Sequence, residues 1–278
     1  MNELIEKVAS VSVIVPCYRC SATIGRAIRS VAEQSLRPAE IFLIEDGSGD
    51  NTLSFLRELA NEYPDGWIRV IALRENGGAA TARNIGWSAA RYPFVAFLDA
   101  DDAWHPEKIE IQFKFMEAHQ NIAVCGHRHR IVGLIGLEVY KIGDQPVVTT
   151  EFGKHSILLS NRFVTPSVML RRDLPLRFIP GRRHMEDHLL WMQVLCGGFR
   201  VVRLEIELAW IFKTSFGVRG LSSDMWAMER GSLSNYWSLG RSGCINRAYA
   251  IGLMGYSFLK YIRRMVIVVG RAMFRSVN

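Results

Sequence analysis

An α/β fold with a doubly wound, mostly parallel sheet is predicted by two features of the first 130 residues. Short, continuous apolar runs recur at 11–15, 41–44, 68–73, 94–98 and 122–125, as in strands buried on both faces. Alternating with them, residues 23–33, 52–63, 79–90 and 106–118 have helical composition and the length of a crossover. The run 11–15 opens the sheet, and 23–33 returns the chain to 41–44. Residues 52–63 lead to 68–73, 79–90 to 94–98, and 106–118 to 122–125.

Beyond residue 130 the pattern weakens. A Gly-rich apolar stretch reaches Tyr140, and Gly143-Asp144-Gln145-Pro146 reads as a loop. A helix is expected at 156–160, a strand at 168–171, a helix at 186–195, and two strands at 199–204 and 209–212. No internal repeat or low-complexity segment interrupts the chain.

With 278 residues and 49% hydrophobic content, the sequence supplies ample core. Five cysteines are too few and unpaired in number for a secreted disulfide framework, which favours a reducing compartment. Residues 1–10 carry Glu3, Glu6 and Lys7 and lack the basic start and apolar stretch of a secretory signal. A cytoplasmic protein is therefore expected. The net charge of +7 resides in the tail: residues 231–278 hold seven Lys or Arg and no acid, and the remaining 27 basic residues face 27 acidic ones. A neutral body argues against a nucleic-acid binder.

In doubly wound sheets ligands bind beyond the carboxyl ends of the strands. Three such ends are polar: Pro16-Cys17-Tyr18, Glu45-Asp46-Gly47-Ser48 and Asp99-Ala100-Asp101-Asp102. Several carboxylates after a buried strand repel one another unless a cation compensates. Mg²⁺ and similar hard ions take one or two carboxylates and fill their shell with water and phosphates, which suits a nucleoside diphosphate. An acidic turn before a helix beginning near His105-Pro106-Glu107 fits the same residues.

Taken together, the ordered motifs resemble those of the inverting glycosyltransferases of family 2, which have the A-type, Rossmann-like nucleotide-sugar fold. Val11-Ser12-Val13-Ile14-Val15-Pro16-Cys17-Tyr18 looks like that family's first strand, and Glu45-Asp46-Gly47-Ser48-Gly49-Asp50-Asn51-Thr52 like its acidic turn. Asn76-Gly77-Gly78 with Ala82-Arg83-Asn84-x-Gly86 resembles the loop and helix before its metal motif, Phe97-Leu98-Asp99-Ala100-Asp101-Asp102 the motif itself, and Glu186-Asp187 with Leu190-Trp191 its later acidic pair. The resemblance implies a catalytic domain over 1–215, nucleotide-binding at 10–130 and acceptor-binding at 131–215, followed by a loop and basic helix at 216–278. It implies that Pro16, Tyr18, Asp46, Arg83 and Asp99 contact the nucleotide sugar, with Asp46 accepting from a base N–H. Asp101 would ligate Mn²⁺ or Mg²⁺, and Asp102 would support it or cap a helix. Asp187 would be the general base and Glu186 its neighbour at the acceptor. One base and one Lewis acid suffice for a single displacement, whereas a retaining hydrolase needs a second carboxylate.

Each of these residues has a plainer reading. Asp46 suits an Asx turn, Arg83 an ordinary ion pair, and Glu186-Asp187 the first turn of a helix. Cys17-x-x-Cys20 has redox or zinc spacing without a second pair, and Cys125, Cys196 and Cys244 stand alone. His184-x-x-x-His188 has helical ligand spacing but not the metalloprotease order, and His127 and His129 share one strand face. Gly77-Gly78 is not a dinucleotide fingerprint. The segment 213–223 has the make-up of a lid over a diphosphate, as of any surface loop.

The tail reads as a basic amphipathic helix over 251–274. Lys260, Arg263, Arg264, Arg271 and Arg275 cluster on one side, opposite Ile251, Phe258, Ile262, Met265, Val266, Val269 and Met273. Such a helix suits an anionic membrane surface rather than a span, or docks on the catalytic body or a partner. Trp226, Tyr236 and Trp237 extend that surface or fill a core. The function expected is metal-dependent transfer of a sugar from a nucleoside diphosphate donor to a glycan or lipid-linked acceptor, in polysaccharide or lipopolysaccharide assembly at the inner face of a membrane. Two rivals remain: a sugar nucleotidyltransferase, which lacks its Gly-rich basic loop here, and a non-catalytic membrane-surface adaptor.

Overall fold

The computed structural model describes residues 8–133, 141–142, 147–212 and 224–275, with side chains of the last helix described to 268. Its strands are β1 (Val8–Cys17), β2 (Arg37–Glu45), β3 (Ile68–Ala72), β4 (Phe94–Phe97), β5 (Ala103–Trp104), β6 (Ile122–Val132), β7 (Thr149–Glu151), β8 (Met169–Arg171) and β9 (Arg200–Phe212). They form one sheet in the order β3-β2-β1-β4-β8-β6-β9-β5, with β7 paired to β9. The pairs β2/β3, β1/β2, β1/β4 and β6/β9 are parallel. β8 runs antiparallel between β4 and β6, and β5 and β7 run antiparallel to β9.

The crossovers are α1 (Ile24–Ala32), α2 (Thr52–Asn61), α3 (Ala79–Ala89) and α4 (Lys108–Ala118). Each meets the sheet through an apolar stripe; in α1 this is Ile24, Ala27, Ile28 and Val31, at the helical spacing. Alternation along β1 divides the interior: Val11, Val13 and Val15 belong to one core and Ile14 to the other. Gly86 of α3 lets the helix sit directly on β1, since a Cβ there would lie 2.5 Å from Ile14 Cγ2.

One prediction fails between 199 and 212, where a single strand, β9, replaces two. Residues 205–208, between the two expected strands, carry Glu205 and Glu207, and Arg128 and Arg130 of β6 pair with them across the sheet and satisfy their charge. The same pairing extends β6 well past the expected 122–125. The Gly-rich stretch at 134–140, the expected loop at 143–146 and the lid-like segment at 213–223 lie outside the described residues.

The second half adds α5 (Lys154–Leu159), α6 (Glu186–Cys196), α7 (Met225–Arg241) and α8 (Arg247–Arg275). Tyr236, Leu239, Ala250 and Leu253 of the last two helices join Trp191 and Ile14 in the second core. α8 is thus docked on the body, with two of its cations bonded there although Arg263 and Arg264 stay exposed. Lys260 Nζ donates to the Leu159 carbonyl at 2.7 Å and Arg264 pairs with buried Glu229 at 3.4 Å. Ile251, Phe258, Leu259, Ile262 and Val266 face outward. Among the described residues, no helix is long and apolar enough to cross a membrane.

A second correction concerns the cysteines. Cys196 at the end of α6 and Cys244 in the turn between α7 and α8 do not stand alone: they form a disulfide with a Cα–Cα distance of 5.5 Å. Their separation of 48 residues hid the pairing from any local reading.

Candidate active site

The parallel strands β1, β2 and β4 end at one edge, which brings the polar strand ends together. The Asp46 amide donates to the Cys17 carbonyl, the Arg19 amide to Ser48 Oγ, and the Ser48 amide to Glu45 Oε1 at 2.7 Å. Pro16 is half-buried here, whereas Tyr18 is exposed with the Arg19 guanidinium 5.2 Å from its ring centre.

Asp46 is buried, and its carboxylate spans the loop after β3. Oδ1 accepts from the Gly77 amide at 2.8 Å and Oδ2 from the Gly78 amide at 2.9 Å, while Asn76 Nδ2 donates to its carbonyl. Burial raises the carboxyl's pKa against the lowering effect of those two amides. Each oxygen retains a second lone pair. The local turn role expected of this residue is thus replaced by a bond to a loop some thirty residues away. Gly47 has φ +61, and a Cβ there would lie 2.6 Å from the Glu75 carbonyl carbon, so two stretches of backbone are in direct contact.

Arg83 of α3 is the hub of a second cluster. It is 5% exposed, and its Nη2 donates to Asp99 Oδ1 at 2.9 Å while Nη1 donates to Glu186 Oε1 at 3.0 Å. The guanidinium lies 5.4 Å from the Phe178 ring centre. Burial opposes its charge, but Asp99 and Glu186 outweigh that cost and raise its pKa. One side chain, 103 residues from Glu186 in the chain, therefore joins the end of β4 to the start of α6.

Met185, just before α6, has φ 58 in the left-handed region, a costly position for a side chain of this size. Its carbonyl accepts from Asn235 Nδ2 at 2.9 Å, so α7 holds the turn. The helix then begins with Glu186 and Asp187. Asp187 Oδ2 accepts from Asn161 Nδ2 at 3.0 Å, and Oδ1 from the His188 amide at 2.6 Å. Burial raises the pKa of Asp187 most, while the His188 amide, Arg83 and Asn161 lower it and Asp99 raises it. Glu186 is also raised by burial, with Arg83 pulling down and Asp187 pushing up. Asp99 and Asp187 thus sense each other through the Arg83 cluster.

Asp101 is exposed at the strand end, and Arg26 Nη2 donates to its main-chain carbonyl. Asp102 is buried and accepts from the Phe212 amide at 3.1 Å, tying the motif to the end of β9 instead of capping a helix. Among the described residues, no three His, Cys, Asp or Glu side chains converge on a common point. The chain would therefore offer a cation one or two carboxylate oxygens, those of Asp101 and Asp99. That donor set fits Mg²⁺ or Mn²⁺ shared with phosphates and water.

Other sequence signals resolve into structure. Cys17 is fully buried and its thiol pKa lies well above its ordinary value, through burial and then Cys20, the reverse of a reactive thiol. His188 bonds the Ile157 carbonyl at 2.6 Å, and burial lowers its pKa to about 4. Asn161 had no motif to mark it. It sits in a loop 26 residues from Asp187 and becomes visible only through their contact.

Comparison with known proteins agrees with this architecture. The family model described as Glycosyl transferase family 2 matches residues 12–177. The Escherichia coli protein named UDP-Glc:alpha-D-GlcNAc-diphosphoundecaprenol beta-1,3-glucosyltransferase WfgD is 31% identical over 186 residues, 66% of this chain and 69% of that one. The structure of S. aureus TarS 1–349 in complex with UDP-GlcNAc superposes with a TM-score of 0.66 at 20% identity, covering 88% of this chain and 70% of that one. The mannosyltransferase PcManGT of Pyrobaculum calidifontis, in complex with GDP-Man and Mn²⁺, gives 0.65 at 16% identity, covering 96% and 80%. With its motifs in order from β1 to α6 and the family match spanning more than half its length, this chain belongs to glycosyltransferase family 2 and is a glycosyltransferase.

Proposed function

We propose that the enzyme moves a sugar, with inversion, from a nucleoside diphosphate donor, UDP-linked by preference, to the hydroxyl of a lipid-linked glycan. The observation that carries this reading is the Arg83 bridge from Asp99 to Glu186, which sets a donor-side carboxylate beside Asp187. Asp187 is the general base. It takes the acceptor hydroxyl proton while that oxygen bonds to the anomeric carbon and the bond from this carbon to the diphosphate breaks. Burial keeps the carboxyl basic enough for the task, and Asn161 and the His188 amide fix its direction. Glu186 orients the acceptor side through Arg83.

Pro16, Tyr18 and Asp46 form the wall for the nucleotide base, and Asp99, held by Arg83, faces ribose and phosphates. Asp101 with Asp99 would hold Mn²⁺ or Mg²⁺, whose chemistry is to neutralise the departing diphosphate. The UDP-GlcNAc of TarS, the GDP-Man and Mn²⁺ of PcManGT, and the UDP-Glc and diphosphoundecaprenol in the name of WfgD support this choice of substrates. The outward apolar side of α8 supports work at a membrane surface, in the assembly of a polysaccharide or lipopolysaccharide.

A panel of nucleotide sugars with Mn²⁺ or Mg²⁺ tests the reading. The favoured donor raises the melting temperature, and Asp187→Asn retains that rise while transfer falls by about 10²-fold or more. Transfer at the wild-type rate by Asp187→Asn would refute the assignment.

A further inference from the structure

Next to Asp187 lies a cavity of about 510 Å³ that the donor side does not use. Asn161 belongs to its wall and donates to Asp187 Oδ2 at 3.0 Å, and His188, the next residue, lines it as well. On the far side α8 contributes Lys260, Arg263 and Arg264. Their spacing of three and four residues puts them on one helix face.

The charge of this cavity is unbalanced. Its nearby acid, Glu229, is fully buried and meets Arg264 at 3.4 Å, leaving Oε1 without a hydrogen-bond partner. Lys260 spends one of its three donors on the Leu159 carbonyl. Arg263 makes no hydrogen bond or ion pair among the described residues, yet it lines the cavity. Burial and then Arg264 lower the pKa of Lys260, as expected where cations crowd. Three cations against Glu229 and the neighbouring Asp187 carboxylate leave an excess positive charge in a partly enclosed space, which attracts and holds an anion.

We propose that this cavity is the anion subsite of the acceptor: Lys260, Arg263 and Arg264 hold its phosphate or diphosphate ester and thereby present the sugar hydroxyl to Asp187. The inference rests on Asp187 being the base, and it names the acceptor class for that site. The position of α8 fits a lipid-borne ester. Its outward side carries Phe258, Ile262 and Val266, and the cations lie across the helix, about 10 Å away.

Two variants test the subsite while keeping Arg264, the ion-pair partner of buried Glu229: Arg263→Ala, at an exposed position, and Lys260→Met. Transfer is measured to a short prenyl-diphosphate-linked sugar and to a neutral alkyl glycoside of the same sugar. Binding of inorganic pyrophosphate is measured separately by calorimetry with saturating UDP present. Each variant is expected to raise KM for the diphosphate acceptor about tenfold and to weaken pyrophosphate by a similar factor. The donor KM and the KM for the neutral glycoside stay unchanged. Equal losses on both acceptors, or wild-type pyrophosphate binding in both variants, would overturn the subsite. Failure of the underlying reading looks different: Asp187→Asn would transfer normally while the pyrophosphate difference persisted.

Discussion

Replacing Arg83 with Met keeps the unbranched stem of the side chain and removes the guanidinium that holds Asp99 to Glu186. Breaking a buried pair costs about 3–5 kcal/mol, because the remaining charge is left uncompensated. Here Asp99 is 32% exposed and recovers water, whereas Glu186 at 12% does not, so the lower end, about 3 kcal/mol, is expected. For a chain of this size each kcal/mol moves the melting temperature by about 2–4 °C, giving a fall of about 6–12 °C. The kinetic consequence has a definite sign. Arg83 lowers the pKa of Asp187 and Glu186, so its loss raises both. With Asp187 as the proposed base, which must be unprotonated to act, the acid limb of the kcat/KM profile therefore moves to higher pH. Arg83→Lys recovers part of the stability, since an ammonium cannot fork to two carboxylates. The assay pairs calorimetric melting with transfer rates across the acid range. An unmoved acid limb in an otherwise active Arg83→Met enzyme would refute the electrostatic link between α3 and the proposed base Asp187.

Glu205 offers a pH test of stability. Burial raises its pKa, but Thr150, Arg128 and Arg203 outweigh this and take it from 4.5 to about 2. A depressed carboxylate stabilises the fold above its unfolded pKa and loses that effect as pH falls through the folded one. Because Arg128 is more than half exposed and solvent screens the pair, Glu205→Gln should cost about 1 kcal/mol at neutral pH in urea unfolding, with the difference vanishing between pH 4.5 and 2. Gly86→Ala gains helix propensity but presses a Cβ to 2.5 Å from Ile14 Cγ2, and a net loss of about 1–2 kcal/mol is expected by denaturant titration. Alkylation without reductant should modify Cys17, Cys20 and Cys125 only after denaturation, and Cys196 and Cys244 only after reduction as well, read by peptide mass.

The first half of the fold and the strand ends of the candidate site were legible in the sequence because their signals are local. Apolar runs marked β1 to β4, and Asp46, Asp99 and Asp101 each closely follow such a run. The Arg83 and Gly86 positions stood out only as parts of a motif; the structure supplies the reasons, an ion-pair bridge and a helix-to-strand contact. The second half resisted because its determinants are distant in sequence. Glu205 and Glu207 are legible as strand residues only beside Arg128 and Arg130, and Cys196 as half of a disulfide only beside Cys244. Helical periodicity sorted α8 into a basic and an apolar side. It did not reveal which side the body would claim, because Leu253 and Ser257 bury themselves next to the cations.

The Gly47 contact limits how the enzyme can diversify. Any larger residue there would drive the turn after β2 away from the backbone at Glu75 and Asn76, and Asp46 would lose its grip on Gly77 and Gly78. That surface is thus rigid masonry, built from main chain and closed to side-chain tinkering. On the proposed reading, divergence toward a new nucleotide would come from the facing segment, where the exposed ring of Tyr18 can be exchanged without dismantling a neighbour.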